Sequence, residues 1–251
     1  MPKRYWFGAA ASLLVGGVLA AVAVLTADSS TSVSEQSEQS PQFAKPAAVS
    51  SSQLQDQTVR AMWRTKPADQ LFPATVANGS QYVRLGIAGA AGCDVLPKAF
   101  VAELRDDAPD TSCVKVLRAT YTDITQTVFA TVGIVVIDGS PEARDKVWRR
   151  WTPDADSRRP ELMPSVFAVP GTAAAGFADG QRTVWNSQAS SNGSYLVYVV
   201  SAFADGRAGT PDAQLRARSG KALVADSPPV QASLGLSQIF ATQFDTTGKP
   251  Q

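Results

Sequence analysis

Hydrophobic and polar residues change regime twice along the chain. From Tyr5 to Ala27 no charged residue interrupts a run dominated by Ala, Leu, Val and Gly. From Asp28 to Ser52 the chain turns to Ser, Gln, Glu, Ala and Pro, with Phe43 as the one aromatic residue. From Gln53 onward, apolar positions recur with the periods of helices and strands. Leu54 to Trp63 reads as a short amphipathic helix with Leu54, Thr58, Ala61 and Met62 on one side, ended by Pro67. Gln81 to Ala90 reads as a strand. Leu96, Phe100, Val101 and Leu104 then recur at helical spacing, with Asp94 as the expected N-cap. Cys113 to Tyr121 and Gln126 to Asp138, rich in Val, Thr, Tyr and Ile, flank a short polar link and predict a hairpin. In its second strand Val128, Ala130, Val132, Ile134 and Val136 share one face, the better core face of the two.

Asp138-Gly139 marks a turn, Ser140 a cap, and Pro141 a first helical position. Ala143, Val147, Trp148 and Trp151 then repeat the i, i+4, i+5, i+8 spacing of the preceding helix. Met163 to Val169, Arg182 to Asn186 and Tyr195 to Ala204 supply further strands, the last apolar on both faces and so expected inside the sheet. Ser227-Pro228-Pro229 opens a final helix through Phe240. Two strand-helix-strand units in succession predict an α+β domain: an antiparallel sheet with helices on one side and a ferredoxin-like split βαβ core.

The uncharged run changes where this domain is expected. At about 1.5 Å per residue it spans roughly the 30 Å of a bilayer's hydrocarbon core. Lys3 and Arg4 precede it, and Tyr5-Trp6-Phe7 sit where aromatic rings favour the headgroups, so the N-terminus is expected in the cytoplasm. Ala21, Ala23 and Ala27 also fit the cleavage pattern of a secretory signal, and either reading exports the remainder. The expected organisation is an anchor over residues 1–27, a disordered tether over 28–52 with too little apolar surface to fold, and an extracytoplasmic domain over 53–251.

Export changes the reading of the two cysteines, Cys93 and Cys113, which are expected to form a disulfide in an oxidising compartment. Two cysteines alone are a poor metal signature. Lys and Arg number 23 against 22 Asp and Glu, so no overall field argues for a nucleic-acid partner. The chain has no histidine, which excludes imidazole-based acid-base and triad chemistry. Neither a P-loop nor a G-x-G-x-x-G fingerprint occurs, and no cofactor is expected.

The stretch Cys113-Val-Lys-Val-Leu-Arg-Ala-Thr-Tyr121, followed by Thr127-Val-Phe-Ala-Thr-Val-Gly-Ile-Val-Val136 and the Pro141 to Trp151 helix, resembles single-pass membrane-anchored envelope proteins of high-GC actinobacteria. The resemblance covers about a quarter of the chain and implies a cell-envelope location. It transfers no catalytic residue.

Four features invite a function. Arg144, Lys146, Arg149, Arg150, Arg158 and Arg159 surround Trp148 and Trp151 and form a possible binding patch for an anionic partner, diluted by Glu142, Asp145, Asp154 and Asp156. Asp106, Asp107 and Asp110, and Asp154 with Asp156, are paired carboxylates, which helix ends and turns also explain. Asn78-Gly79-Ser80 and Asn192-Gly193-Ser194 match glycosylation acceptors and, equally, turns. Ala168 to Gly180 reads as a loop packed closely on the sheet, with a ligand groove as the alternative. The reading that follows is a non-catalytic domain, held at the membrane, that binds a protein or a wall component. A carboxylate-based hydrolase or transferase and a small-ligand or lipid carrier are the alternatives.

Overall fold

The computed structural model describes residues 50–151, 159–207 and 227–245, all within one compact unit that runs from Ala48 to Gln251. The expected anchor and nearly all of the expected tether lie outside the described residues. Among the described residues no helix is long and apolar enough to cross a membrane.

Among the described residues six strands make one sheet: β1 (Thr75–Asn78), β2 (Ser80–Ile87), β3 (Ser112–Asp123), β4 (Val128–Asp138), β5 (Val184–Ala189) and β6 (Tyr195–Phe203). Their order is β1-β2-β3-β4-β6-β5, and every neighbouring pair is antiparallel. The α+β class and the antiparallel sheet are as expected. Of the expected split βαβ core one unit is present, since β4 and β5, joined through the helix that opens at Pro141, run parallel with β6 between them. The first strand-helix-strand unit does not form one, so the full ferredoxin-like order is not made. Helix α3 (Lys98–Asp107) joins β2 to β3, which pair antiparallel, so the chain leaves and re-enters the sheet at the same end without a crossover. The disulfide between Cys93 and Cys113, with Cα atoms 6.1 Å apart, closes this excursion. Closing a loop of that size contributes on the order of 3 kcal/mol under the chain-entropy model.

Helices cover both faces of the sheet, where one was expected. Residues Val128 to Ile137 of β4 are all buried, so alternate side chains need cover on either side. On one face, Val132, Ile134 and Val199 pack against Met62 of α1 (Ser51–Thr65), Leu71 of α2 (Ala68–Leu71) and Phe240 of α5 (Pro228–Thr242). On the other, Val135, Ile137 and Leu196 pack against Phe100 of α3, Val147 of α4 (Pro141–Arg150) and Trp151. Phe100 and Trp151 meet with ring centroids 4.7 Å apart.

Local signals account for most element ends. The Ser50 hydroxyl accepts from Gln53 N and the Gln53 side-chain oxygen accepts from Ser50 N, so α1 begins at Ser51, inside the expected tether and ahead of Leu54. The face that turns inward carries Val59, Met62 and Trp63, while Leu54 is 53% exposed. Ser140 caps α4 as its sequence predicts, accepting from Ala143 N at 3.2 Å. Trp148, expected inward, is exposed. Asp94 lies in a short 3-10 turn, Cys93–Val95, and Pro97 takes the N-cap of α3. Gly79, with φ +71°, makes the tight turn between β2 and β1, a strand the sequence reading did not contain.

Met163 to Val169 is not a strand. Pro164 lacks an amide donor, which disfavours a place in a ladder. The segment crosses the second face instead, where Phe167 N donates to Thr131 Oγ1 at 2.9 Å and its carbonyl accepts from the Thr120 hydroxyl. Gly86 leaves room for this strap, since a Cβ there would stand 2.5 Å from Val169 Cγ1.

Candidate functional site

Helix α1 is pinned at two points. Near its middle, the Tyr195 hydroxyl of β6 donates to the carbonyls of Val59 at 2.8 Å and Arg60 at 3.1 Å and accepts from Trp63 N at 3.3 Å. Burial pushes this phenol up to about 12, so it stays a neutral donor across the physiological range. Near the N-terminus, Asp56 receives the Arg144 guanidinium in a two-pronged pair, Nη1 to Oδ1 at 3.3 Å and Nη2 to Oδ2 at 3.2 Å. The same guanidinium donates to Ser194 Oγ at 2.7 Å and to the Asn192 carbonyl at 3.1 Å, and Asn192 Nδ2 donates to Asp56 at 3.1 Å. Three elements thus meet at one buried cation: α1, the start of α4 and the turn between β5 and β6.

Alongside these pins, two clefts open between α1 and the passage that leads from β4 into α4. One cleft of about 250 Å³ lies between Trp63 and Arg64 on one side and Val114, Val136 and Asp138 on the other. A second, of about 380 Å³, lies between Ser52, Gln53 and Asp56 and the residues Pro141 and Arg144. Gln57 and Arg60 line both clefts. Arg60 reaches across to Asp138, Nη2 to Oδ1 at 2.7 Å, and this ion pair marks the divide. Arg64 lies over the Trp63 ring, 4.6 Å from its centroid, and makes no ion pair among the described residues. From Ser52 to Arg64 the wall runs for about 18 Å at 1.5 Å per residue.

The groove carries cationic side chains above an apolar floor at one end and amides and hydroxyls at the other. Its two carboxylates, Asp56 and Asp138, each face a guanidinium. General-acid work calls for the opposite setting, a carboxyl among apolar groups or beside a second carboxyl. The arrangement is suited to holding an extended or anionic group.

The basic cluster of α4 is divided by its surroundings. Arg144 is 4% exposed and points into the Asp56 network, so it is not part of a surface patch. Arg149 pairs with Asp145 one turn earlier. Arg150 and Arg159 both reach Glu103 of α3, each at 2.7 Å, and Arg159 also pairs with Glu161 at 2.8 Å. Burial pushes the Glu103 carboxyl up, and the hydrogen bonds from Arg159 and Arg150 outweigh it, so the net displacement is downward. Lys146 is exposed, and Arg158 lies outside the described residues.

Of the paired carboxylates, Asp106 and Asp110 are exposed on the descent from α3, and Asp154 and Asp156 lie outside the described residues. Among the described residues no group of three or more His, Cys, Asp or Glu is placed to hold a metal ion. Asn192 sits in a turn with its side chain committed to Asp56, Ser190 and Ser194. The Ala168 to Gly180 segment is packed on the sheet with Ala174 and Phe177 buried against Phe129. Sequence reasoning did not single out Arg60, Trp63 and Arg64. The local signal for them was a tryptophan flanked by two arginines in a capped helix of modest apolarity. No protein-family model, curated protein or solved structure matches this chain.

Proposed function

We propose that the chain is a single-pass envelope protein whose domain, held outside the cytoplasm by the Tyr5 to Ala27 helix and the polar segment after it, binds another protein or a wall component without catalysing a reaction. The observation that carries the binding reading is the groove along α1, where Arg60 and Arg64 stand beside Val114 and one edge of the half-buried Trp63 ring lines the cleft. Tryptophan and arginine are the residues most enriched at the energetic centres of interfaces. A disulfide at Cys93 and Cys113 supports placement in an oxidising compartment. The resemblance to actinobacterial envelope proteins supports the same location.

A photo-reactive amino acid in place of Gln57, on the wall shared by both clefts, is expected to give a discrete cross-linked species in living cells. The same group in place of Lys146 is expected to give none. Equal labelling from both positions, or none from either, rejects the groove as the binding surface. For the topology, protease added to intact cells stripped of their wall is expected to remove the domain, and protection until lysis would reverse the proposed orientation.

A further inference from the structure

We propose that the groove along α1 takes an acidic peptide segment with an apolar side chain beside its carboxylate, and that Asp138 occupies the carboxylate position until such a segment displaces it. This rests on the binding reading above and specifies the partner's chemistry. Three cationic or aromatic features converge on one cleft: Arg60 at the divide, Arg64 free of ion pairs among the described residues, and the Trp63 ring beneath it. Among the described residues the one acid lining that cleft is Asp138, which holds Arg60. Charge complementarity therefore favours an anionic occupant, and Val114, 36% exposed in the same wall, favours an apolar neighbour to the charge.

The Arg60 to Asp138 pair is open to water, its side chains 37% and 60% exposed. Pairs of that kind contribute little, about 0 to 1 kcal/mol, so a ligand carboxylate backed by contacts to Trp63 displaces Asp138 at small cost. Asp138 retains the Gly139 amide at 3.0 Å when it lets go, so release leaves its carboxylate partly satisfied. An extended peptide rises about 3.3 Å per residue, and five or six residues span the roughly 18 Å wall of α1. The polar cleft lined by Ser52 and Gln53 then receives the peptide's backbone amides and carbonyls.

The test uses the full chain in detergent micelles and fluorescently labelled hexapeptides that carry two glutamates beside one phenylalanine, read by anisotropy. Binding is expected to weaken as salt rises and to weaken by about tenfold or more with Arg60→Gln or Trp63→Ala, as loss of an interfacial anchor does. Asp138→Asn is expected to tighten it by up to about fivefold, because it removes a competitor of at most about 1 kcal/mol. A purely structural bridge would move Arg60→Gln and Asp138→Asn in the same direction, so opposite signs are the diagnostic result. Weaker binding with Asp138→Asn, or binding indifferent to Arg60→Gln, overturns the proposal. Equal binding of the glutamine-for-glutamate peptide does the same, as does inorganic phosphate, or phosphatidylglycerol mixed into the micelles, competing as well as the peptide. If groove cross-links form in cells while no acidic peptide binds, this inference falls and the binding reading stands.

Discussion

Asp56→Ala is expected to lower the stability of the domain by about 3 to 5 kcal/mol, more than the loss of its partner, because it strands a buried cation. The Arg144 side chain is 5% exposed, whereas that of Asp56 is 30% exposed. Without Asp56 the guanidinium keeps Ser194 Oγ and the Asn192 carbonyl, which are dipoles and not charges, and only the mouth of the polar cleft can hydrate it. Arg144→Met removes the cation and leaves Asp56 at the edge of the groove, where solvent hydrates it, so its cost is nearer 1 to 3 kcal/mol, the range for an unsatisfied polar group. Combined, the two substitutions are expected to be less harmful than Asp56→Ala alone. Urea unfolding of the two single variants and the double variant measures each term. If Asp56→Ala unfolds at the wild-type midpoint, the network is decoration and α1 is held by Tyr195 and its apolar face instead. Because Asp56 and Arg144 both line the polar cleft, loss of the network is also expected to loosen the N-terminal half of α1.

The parts of the fold that were legible in advance are those fixed by neighbours in sequence. Ser140 and Pro141 announce α4 within four residues, and the alternation of Val128 to Val136 with Phe129 to Val135 announces β4. The same alternation also points to a second helical layer. Phe129, Val135 and Ile137 are as apolar as the residues on the other face, and Tyr195 to Phe203 repeats the feature. A centrally placed antiparallel strand covered on both sides reads like one from a buried parallel sheet, and the one-sided expectation missed that equivalence. The capping box at Ser50 and Gln53 was equally local and was overlooked.

What was not legible depended on residues far apart in the chain. Met163 to Val169 has the composition of a strand, and its fate is decided by Thr120 and Thr131, whose hydroxyls take up the Phe167 amide and carbonyl. Arg150 and Arg159 look like free cations until Glu103 arrives from α3. The groove has no sequence signature as a unit, since residues 57–64 and 136–138 become its walls only when α1 settles against the end of β4. Composition shows a charge but not what it faces, and at this site that pairing determines the chemistry.

Gly133→Ala is expected to cost at least about 3 kcal/mol, at the upper end of overpacking, despite adding a single methyl to the middle of a strand that favours substituted residues. Gly133 stands in one cross-strand row with Arg118 of β3 and Tyr198 of β6. The Tyr198 ring lies across the glycine, and an added Cβ would come within 2.0 Å of its Cζ and 2.5 Å of its hydroxyl oxygen. Backbone conformation is not the obstacle, because Gly133 does not need the left-handed region. The obstacle is that the ring overlying the glycine belongs to Tyr198, which is fully buried in the cluster with Phe100, Leu196 and Val200, so giving way means repacking that cluster. A large side chain laid over a strand glycine is a known way to recover the packing the glycine lacks. The explanation requires that shrinking the ring restore tolerance. Tyr198→Leu alone loses packing, but Gly133→Ala combined with Tyr198→Leu is expected to be more stable than the sum of the two separate losses by more than about 1 kcal/mol, a coupling of the size neighbours in contact show. Tyr198→Phe supplies the internal control. The hydroxyl is buried with no hydrogen-bond partner among the described residues, so its removal is expected to be neutral or mildly stabilising. Strict additivity of Gly133→Ala and Tyr198→Leu in thermal or urea unfolding would show that the glycine answers to something other than the ring above it.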